Sequence, residues 1–223
     1  MFNPSHFWTL ILGTIVALLP LINPLASAPT FLAITEGDSH ERRHSQLIRA
    51  CLYMVAILVA FLVGGRFIMD FFGISIPGLR IAGGILVAGI GFGMLLGKNT
   101  EGTTDDEEAK AAARAKRDIS FSPLAMPMLS GPGAIAVTIG FTSLATGLTD
   151  YVAIILGILV VAGITYVVLN LSERTVRLIG VNGMSALTKI MGFLLLCIGI
   201  QFVVNGVTDP TLVRAIRDAL VTG

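Results

Sequence analysis

Two proline-rich stretches within apolar surroundings carry the residues of this sequence that could do chemistry. They are Asn23–Pro29 and Ser122–Gly133. Because proline has no backbone N–H, each proline in a helix leaves the carbonyl four residues earlier without its donor. Freed carbonyls can hold a cation or an ammonium group, and the amides that begin a new helical segment attract an anion. The two stretches therefore indicate a binding site for a small zwitterion.

The candidate substrate-binding residues are the prolines, glycines and neutral polar residues of these stretches. They are Asn23, Pro24, Ser27, Pro29, Ser122, Pro123, Pro127, Ser130, Gly131, Pro132 and Gly133. Pro29 and Pro132 are expected near the start of a half-helix, where a missing donor is harmless. Gly131 and Gly133 would let a ligand approach the backbone closely. No catalytic residue, cofactor or metal is expected at this site.

The composition is that of an integral membrane protein. Of the 223 residues, 54% are hydrophobic and 13% are charged, whereas soluble domains carry about 25% charged residues. The net charge of +1 provides no field that would favour nucleic acid. The chain begins without Lys or Arg before its first apolar segment, so that segment is expected to be retained as a span.

Six apolar segments are long enough to cross a bilayer, which takes about 20 residues. They cover residues 7–34, 47–67, 76–96, 119–145, 151–171 and 186–207, and prolines interrupt the first and the fourth. A broken helix at membrane depth is tolerated only inside protein or beside a watery cavity. The sequence therefore predicts an all-α membrane protein in which two broken helices face a shared cavity.

The two halves of the chain resemble each other. Asn-Pro-Leu-Ala at 23–26 is similar to Ser-Pro-Leu-Ala at 122–125, and Gly84-Ile85-Leu86 matches Gly192-Phe193-Leu194. Three spans per half would insert the second copy upside down, which is the plan of many secondary transporters. The predicted units are a three-helix repeat over 1–97, a polar cytoplasmic linker with a short helix over 98–118, and a second repeat over 119–223. Chance similarity between glycine-rich segments is the alternative.

The basic residues predict the orientation of the chain. If the N-terminus lies outside, all but four of the 15 Lys and Arg residues fall on the inner side or at its edge. The four exceptions are Arg66, Arg80, Arg214 and Arg217. The positive-inside rule therefore places both termini outside.

In the linker, Thr104-Asp105-Asp106-Glu107 has the pattern of a capping box, which predicts a short helix. Whether this helix binds a partner stays open.

No Asp, Glu, Lys or His falls at the predicted midplane of any span. A carrier of strongly charged solutes would be expected to place a counter-ion at that depth. A small solute without net charge is therefore favoured as the partner of this chain, beside the lipid bilayer itself. The exact substrate, the direction of transport, a coupling ion such as H⁺ or Na⁺, and the oligomeric state stay open.

The sequence resembles the MarC (UPF0056) family of bacterial inner-membrane proteins. The resemblance rests on Asn23-Pro24 with Pro29-Thr30-Phe31-Leu32, on Ser122-Pro123 with Gly131-Pro132-Gly133, on the glycine-rich third helix and on the six spans. It implies a six-helix protein of the inner membrane and, for some members, transport of neutral amino acids; in an inner membrane, the outside termini predicted from Lys and Arg would be periplasmic. Glycine, alanine or serine is then the expected type of solute. Because Ser122 stands where the first motif has Asn23, equal roles for the two halves do not follow.

Two other classes of function stay open. A structural membrane subunit without transport would tolerate substitutions in both proline motifs. His40-Glu41-Arg42-Arg43-His44 matches the H-E-x-x-H pattern of zinc proteases. A catalytic zinc needs a third protein ligand, for which Glu107 or Glu108 could serve, and the two arginines would repel the metal. The chain is therefore not expected to be an enzyme.

Overall fold

The computed structural model describes residues 4–96 and 118–222, and these are almost entirely helical. The helices are α1 (Pro4–Ile22), α2 (Pro24–Ile34), α3 (His40–Phe72), α4 (Ile76–Leu95), α5 (Ser120–Leu129), α6 (Pro132–Phe141), α7 (Leu148–Asn170), α8 (Ser172–Val207) and α9 (Pro210–Thr222). The predicted linker helix, with its capping box at Thr104, lies outside the described residues.

Five of the described helices are long and apolar enough to cross a membrane, namely α1, α3, α4, α7 and the part of α8 over Asn182–Val207. The α5–α6 pair, whose axes differ by 66°, makes a sixth if it counts as one bent span. An all-helical membrane fold is thus confirmed. Two helices begin well before their predicted starts: α8 begins at Ser172 rather than at 186, and α3 begins at His40 rather than at 47. The Ser39 side chain caps α3 by accepting a hydrogen bond from the Arg42 N–H (3.3 Å).

One set of helix ends is joined by ion pairs around Arg43. Arg43 in the second turn of α3 pairs with Glu173 in the first turn of α8. Arg49 of α3 lies 3.1 Å from Asp118, just before α5. We call this layer the Arg43 end; it holds the starts of α3, α5 and α8 and the end of α7.

The opposite helix ends meet around Arg80. The Arg80 guanidinium of α4 lies 2.8 Å from the carboxylate of Asp209, which follows α8. His6 of α1 lies 3.6 Å from Asp150 of α7. This layer, the Arg80 end, therefore holds the starts of α1, α4 and α7 and the end of α8. The N-terminal end of α1 and the C-terminal end of α8 share one side of the bundle.

Helices α4 and α8 approach so closely that their backbones touch. A Cβ on Gly84 would lie 2.5 Å from the Gly199 carbonyl oxygen, and a Cβ on Gly91 would lie 2.5 Å from the Gly192 carbonyl oxygen. The numbers rise along one helix as they fall along the other, so the pair is antiparallel. Small residues commonly allow such contact between helices in lipid, where packing rather than the hydrophobic effect drives association.

The broken segments belong to the same core as the long helices. Phe31 of α2 and Leu129 of α5 are fully buried, together with Leu18 of α1, Leu58 of α3 and Ile158 of α7. Burial inside protein satisfies the condition under which irregular backbone is tolerated at membrane depth. Part of each proline motif, Asn23 and Pro24 in the first and Pro123, Ser130 and Gly133 in the second, therefore lies among the interior residues of the bundle.

Candidate functional site

The first break lies at Asn23, between α1 and α2. Its backbone adopts the left-handed conformation (φ 42°, ψ 63°), which asparagine tolerates better than most residues with a Cβ. Its N–H donates to the Leu19 carbonyl (2.9 Å), and its Oδ1 accepts from the Ala26 N–H (3.3 Å). One asparagine thus ends α1 and caps α2, with Pro24 as the first residue of the new helix.

The prediction that Pro29 stands near the start of a half-helix is wrong. Because Asn23 turns the chain and caps the next helix, α2 already begins at Pro24. Pro29 falls in the second turn of α2 and is exposed. Its missing N–H leaves the Leu25 carbonyl without a helical donor.

The Asn23 side chain has an unused donor. The residue is only 7% exposed, and its Nδ2 has no hydrogen-bond partner within residues 4–96 and 118–222. Leaving a buried polar group unpaired costs about 1–3 kcal/mol. The hydrogen bond that Oδ1 accepts from the Ala26 N–H fixes the orientation of the amide. The two N–H groups of Nδ2 can then donate to a bound ligand.

The second break is spread over α5. Ser122 and Met126 are extended (φ −134°, ψ 124° and φ −133°, ψ 123°), and each precedes a proline with which it forms a cis peptide bond. Extended backbone is the usual state of a residue before proline. The two prolines, Pro123 and Pro127, thus interrupt the helix twice within ten residues.

Helix α6 begins at Pro132, as the sequence predicts, with Gly131 as its N-cap. No side chain caps this helix, and its first backbone hydrogen bond runs from the Ile135 N–H to the Gly131 carbonyl (3.1 Å). The amides of Gly133 and Ala134 precede that bond, so they have no acceptor within the helix. They carry the partial positive charge of a helix start.

Ser130 supplies a second buried polar group without a partner. The residue is 0% exposed, and its Oγ has no hydrogen-bond partner in the part of the chain that the structure describes. It lies directly before the uncapped start of α6. Each break therefore contains one buried neutral side chain with a polar atom that has no partner among the described residues, Nδ2 of Asn23 or Oγ of Ser130.

Gly133 lies where the two breaks meet. A Cβ on Gly133 would lie 3.0 Å from Leu21 Cδ2 and 3.0 Å from Ile90 Cδ1. Leu21 comes two residues before Asn23, and Ile90 belongs to α4. We call the set Leu21, Asn23, Ile90, Ser130 and Gly133 the junction; all five of its residues are uncharged.

Comparison with known proteins identifies the family. The model of the MarC family integral membrane proteins matches residues 8–210. The chain belongs to the MarC family. Similar curated proteins include the UPF0056 inner membrane protein MarC of Escherichia coli strain K12 / DH10B and of Escherichia coli O1:K1 / APEC. Each is 40% identical over 206 residues, which cover 87% of this chain and 92% of the relative. No solved structure matches.

The match to the MarC family covers both breaks and, apart from the first four residues of α1, the five described helices that are long enough to span. The resemblance seen in the two proline motifs is thereby confirmed. With these apolar helices, this MarC-family chain is a multi-pass protein of the inner membrane.

The predicted site residues of the MarC-family chain differ in burial. Asn23, Pro24, Pro123, Ser130 and Gly133 are buried, Ser27, Ser122 and Gly131 are half-buried, and Pro29, Pro127 and Pro132 are exposed. Sequence reasoning missed Leu21 and Ile90, which contact Gly133. Both are apolar residues in apolar helices, so neither composition nor spacing distinguishes them from their neighbours.

The H-E-x-x-H pattern of this MarC-family protein lies at the Arg43 end, in the first turns of α3. His44 Nε2 lies 3.2 Å from the Tyr166 hydroxyl. Arg43 donates to Glu173, and this hydrogen bond is the largest of the effects that hold the pKa of Glu173 below its usual value. Among the described residues, no group of three His, Cys, Asp or Glu side chains is arranged to hold a metal. Glu107 and Glu108 lie outside those residues.

Proposed function

We propose that this MarC-family protein is a secondary transporter of small neutral solutes, above all neutral amino acids of the glycine, alanine and serine type. Two observations carry the proposal: Gly133 of the second break contacts Leu21, two residues before the first break, and each break contains a buried polar atom, Asn23 Nδ2 or Ser130 Oγ, without a partner among the described residues. Many secondary transporters bind their solutes on discontinuous helices of this kind. Uptake of radiolabelled alanine by vesicles that contain the purified protein tests it.

A zwitterionic amino acid matches the free groups of the two breaks. The uncapped amides of Gly133 and Ala134, together with Asn23 Nδ2, suit a carboxylate. The Leu25 carbonyl, freed by Pro29, is an acceptor for an ammonium group. Because the junction contains no charged side chain, it favours a solute without net charge over a cation or an anion.

We also propose that the chain consists of two inverted three-helix repeats. A shift of 108 residues takes the start of α2, Asn23-Pro24, to the start of α6, Gly131-Pro132. The same shift takes the first residue of α3, His40, to the first residue of α7, Leu148. In this register Asn23 corresponds to Gly131. The similarity of Asn-Pro-Leu-Ala at 23–26 to Ser-Pro-Leu-Ala at 122–125 would instead align Asn23 with Ser122.

The glycines of α4 and α8 support the same register. The shift takes Gly84 to Gly192 and Gly91 to Gly199, whereas the close contacts join Gly84 with Gly199 and Gly91 with Gly192. Such reciprocal contacts are what a two-fold axis produces, because residue i then meets j and residue j meets i. An axis between α4 and α8, in the plane of the membrane, would relate the halves.

Both termini are proposed to be periplasmic. The start of α1 and the end of α8 share the Arg80 end. Five of the nine described arginines, namely Arg42, Arg43, Arg49, Arg174 and Arg177, belong to helix starts at the Arg43 end, and in the sequence the segment that joins α4 to α5 adds Lys98, Lys110, Arg114, Lys116 and Arg117. By the positive-inside rule we therefore take the Arg43 end as the cytoplasmic face. A cysteine introduced at position 5 should react with a membrane-impermeant maleimide on intact spheroplasts. Reaction only after lysis would reverse the orientation.

Asn23 offers a test of the binding groups. Asn23→Ala should weaken alanine binding by about 1–3 kcal/mol, roughly 5- to 140-fold in Kd, because a donor to the ligand is lost. Asn23→Asp keeps the Oδ1-type acceptor that caps α2 but puts a carboxyl oxygen in place of the Nδ2 donor. It should therefore stay folded and lose binding. Calorimetric titration with alanine gives the Kd of each detergent-purified variant. If Asn23→Asp bound alanine as tightly as wild type does, Asn23 would not be part of the binding site.

A structural subunit without transport is the alternative that the same assays separate. Such a protein would bind no amino acid and would tolerate Asn23→Asp. For a transporter, imposed pH and Na⁺ gradients across the vesicle membrane identify H⁺ or Na⁺ as the coupling ion. Inward and outward gradients of alanine give the direction in which the carrier works.

A further inference from the structure

A cavity of about 370 Å³ lies at the Arg80 end, between α4, α6 and α8. Most of its lining is apolar, with Leu79, Val137, Phe141, Leu144 and Phe202 as the bulky members. Its volume falls within the roughly 300–1,000 Å³ of small-molecule sites, which combine an apolar lining with a few convergent polar groups. The cavity could thus enclose a ligand with a hydrophobic body.

The polar groups of the cavity centre on Arg80 and Asp209. Arg80 Nη1 donates to Asp209 Oδ2 (2.8 Å), and Arg80 Nη2 donates to Ser143 Oγ (3.4 Å). The Arg80 side chain is 26% exposed and that of Asp209 13%. Hydrogen bonds from the Thr211 hydroxyl and backbone amide hold the pKa of Asp209 below its usual value, so this carboxyl is ionised at neutral pH. A fixed cation and a fixed anion therefore stand side by side.

Both charged groups keep capacity for a ligand. A guanidinium has five N–H donors, and two of those of Arg80 are used by Asp209 and Ser143. A carboxylate has about four acceptor positions, and Arg80 and Thr211 occupy three of those of Asp209. The pair can thus receive a carboxylate on one side and an ammonium group on the other.

We propose that this cavity is a second amino-acid site, which takes a zwitterion with a bulky apolar side chain, of the leucine class. The carboxylate binds the free donors of Arg80, the ammonium group binds Asp209, and the side chain packs against Val137, Phe141 and Phe202. Glycine or serine would leave this apolar lining unfilled, so the cavity selects by side-chain size. The inference rests on the proposed function only in that its ligand is an amino acid.

The cavity is separate from the junction. Gly83 and Ile90 are seven residues apart on one face of α4, as Gly140 and Gly133 are on one face of α6. Gly83 and Gly140 line the cavity, whereas Ile90 and Gly133 meet at the junction. Seven residues of helix span about 10 Å. A ligand in the cavity therefore lies two helical turns closer to the Arg80 end than the junction.

Gly140 allows the cavity to be filled without disturbing the fold. It lines the cavity, and a Cβ at this position would meet no atom of the described residues within 4 Å. Gly163 of α7 also has nothing within 4 Å but is exposed away from the cavity, so Gly163→Leu is the matched control. Gly140→Leu should weaken binding of tritiated leucine to the detergent-purified protein at least tenfold, whereas Gly163→Leu should bind as wild type does.

The double variant Arg80→Gln with Asp209→Asn tests the same site if Gly140→Leu cannot be purified. It keeps a hydrogen-bonding pair of similar shape and removes both charges, so at least a tenfold loss of leucine affinity is again expected. No leucine binding by wild type, or wild-type affinity in Gly140→Leu, overturns the inference.

Asn23→Asp separates the two proposals, because it should impair alanine binding at the junction and leave leucine binding in the cavity unchanged. Leucine binding by a protein that shows no flux of glycine, alanine or serine would refute the proposed transport and would still support this second site.

Discussion

Gly131→Val is expected to abolish alanine flux while the protein still folds. The backbone of Gly131 is extended (φ −67°, ψ 167°) and precedes Pro132, a conformation that valine adopts readily. The nearest atom to its Cβ would be the Pro127 carbonyl oxygen at 3.2 Å, which needs a shift of only a few tenths of an ångström. The branched methyl groups would then stand before the uncapped amides of α6, where the solute carboxylate is proposed to bind.

Gly147→Val is the matched control for this prediction. Gly147 is also an N-cap with extended backbone (φ −154°, ψ 173°) and no side-chain cap, at the start of α7. Its Cβ would come no closer than 4.0 Å to Thr149 Oγ1. Vesicles with equal amounts of each folded variant should show alanine flux for Gly147→Val and none for Gly131→Val. Equal flux from both would place the solute elsewhere.

Gly199→Val is expected to prevent stable folding. Its Cβ would lie 2.3 Å from the Ala88 backbone nitrogen and 2.6 Å from the Gly84 carbonyl oxygen. Neither backbone atom can move away without separating α4 from α8. Overpacking a core costs about 1–3 kcal/mol or more, and a clash between two backbones belongs at the upper end. Size-exclusion elution and thermal melting in detergent should show aggregation or a large fall in Tm.

Gly89→Val in α4 provides the comparison for that variant. A Cβ on Gly89 would meet nothing within 4 Å, and the residue is exposed. It should therefore elute and melt close to wild type. If Gly199→Val behaved in the same way, helices α4 and α8 would not be in backbone contact, and the reciprocal glycine pattern would lose its basis.

Hydropathy predicted the lipid-immersed parts of the fold well, because it measures transfer into the bilayer. It placed α4 over 76–96, and the helix covers Ile76–Leu95. It could not predict where helices extend beyond the lipid. Both α3, from His40, and α8, from Ser172, begin with polar turns that apolar runs do not reveal. A change of direction at Gly180 (φ 68°) within α8 was also missed.

The positions of the two breaks were only partly predictable. Prolines indicate that a helix is interrupted. Which residue turns the chain depends on the backbone conformation that each nearby residue can adopt. Asn23 does so by adopting the left-handed conformation and capping α2, which moves the helix start from the expected Pro29 to Pro24. The α6 start at Pro132 was predicted correctly because Gly131 supplies no competing cap.

Long-range partners lay beyond sequence reasoning. Arg80 and Asp209 are 129 positions apart, yet they form one ion pair at the cavity. Leu21 and Ile90 reach Gly133 from two other helices. No local pattern encodes such proximity, because it results from how the helices pack. The sequence predicted which motifs contain candidate groups, and the fold determined which of those groups meet.

The most direct test of transport is alanine flux into vesicles that contain the purified wild-type protein. We expect saturable uptake that unlabelled glycine and serine inhibit and that vesicles with Gly131→Val lack. Folded wild-type protein in sealed vesicles that shows no saturable flux of glycine, alanine or serine, with or without pH and Na⁺ gradients, would contradict it and favour a structural subunit.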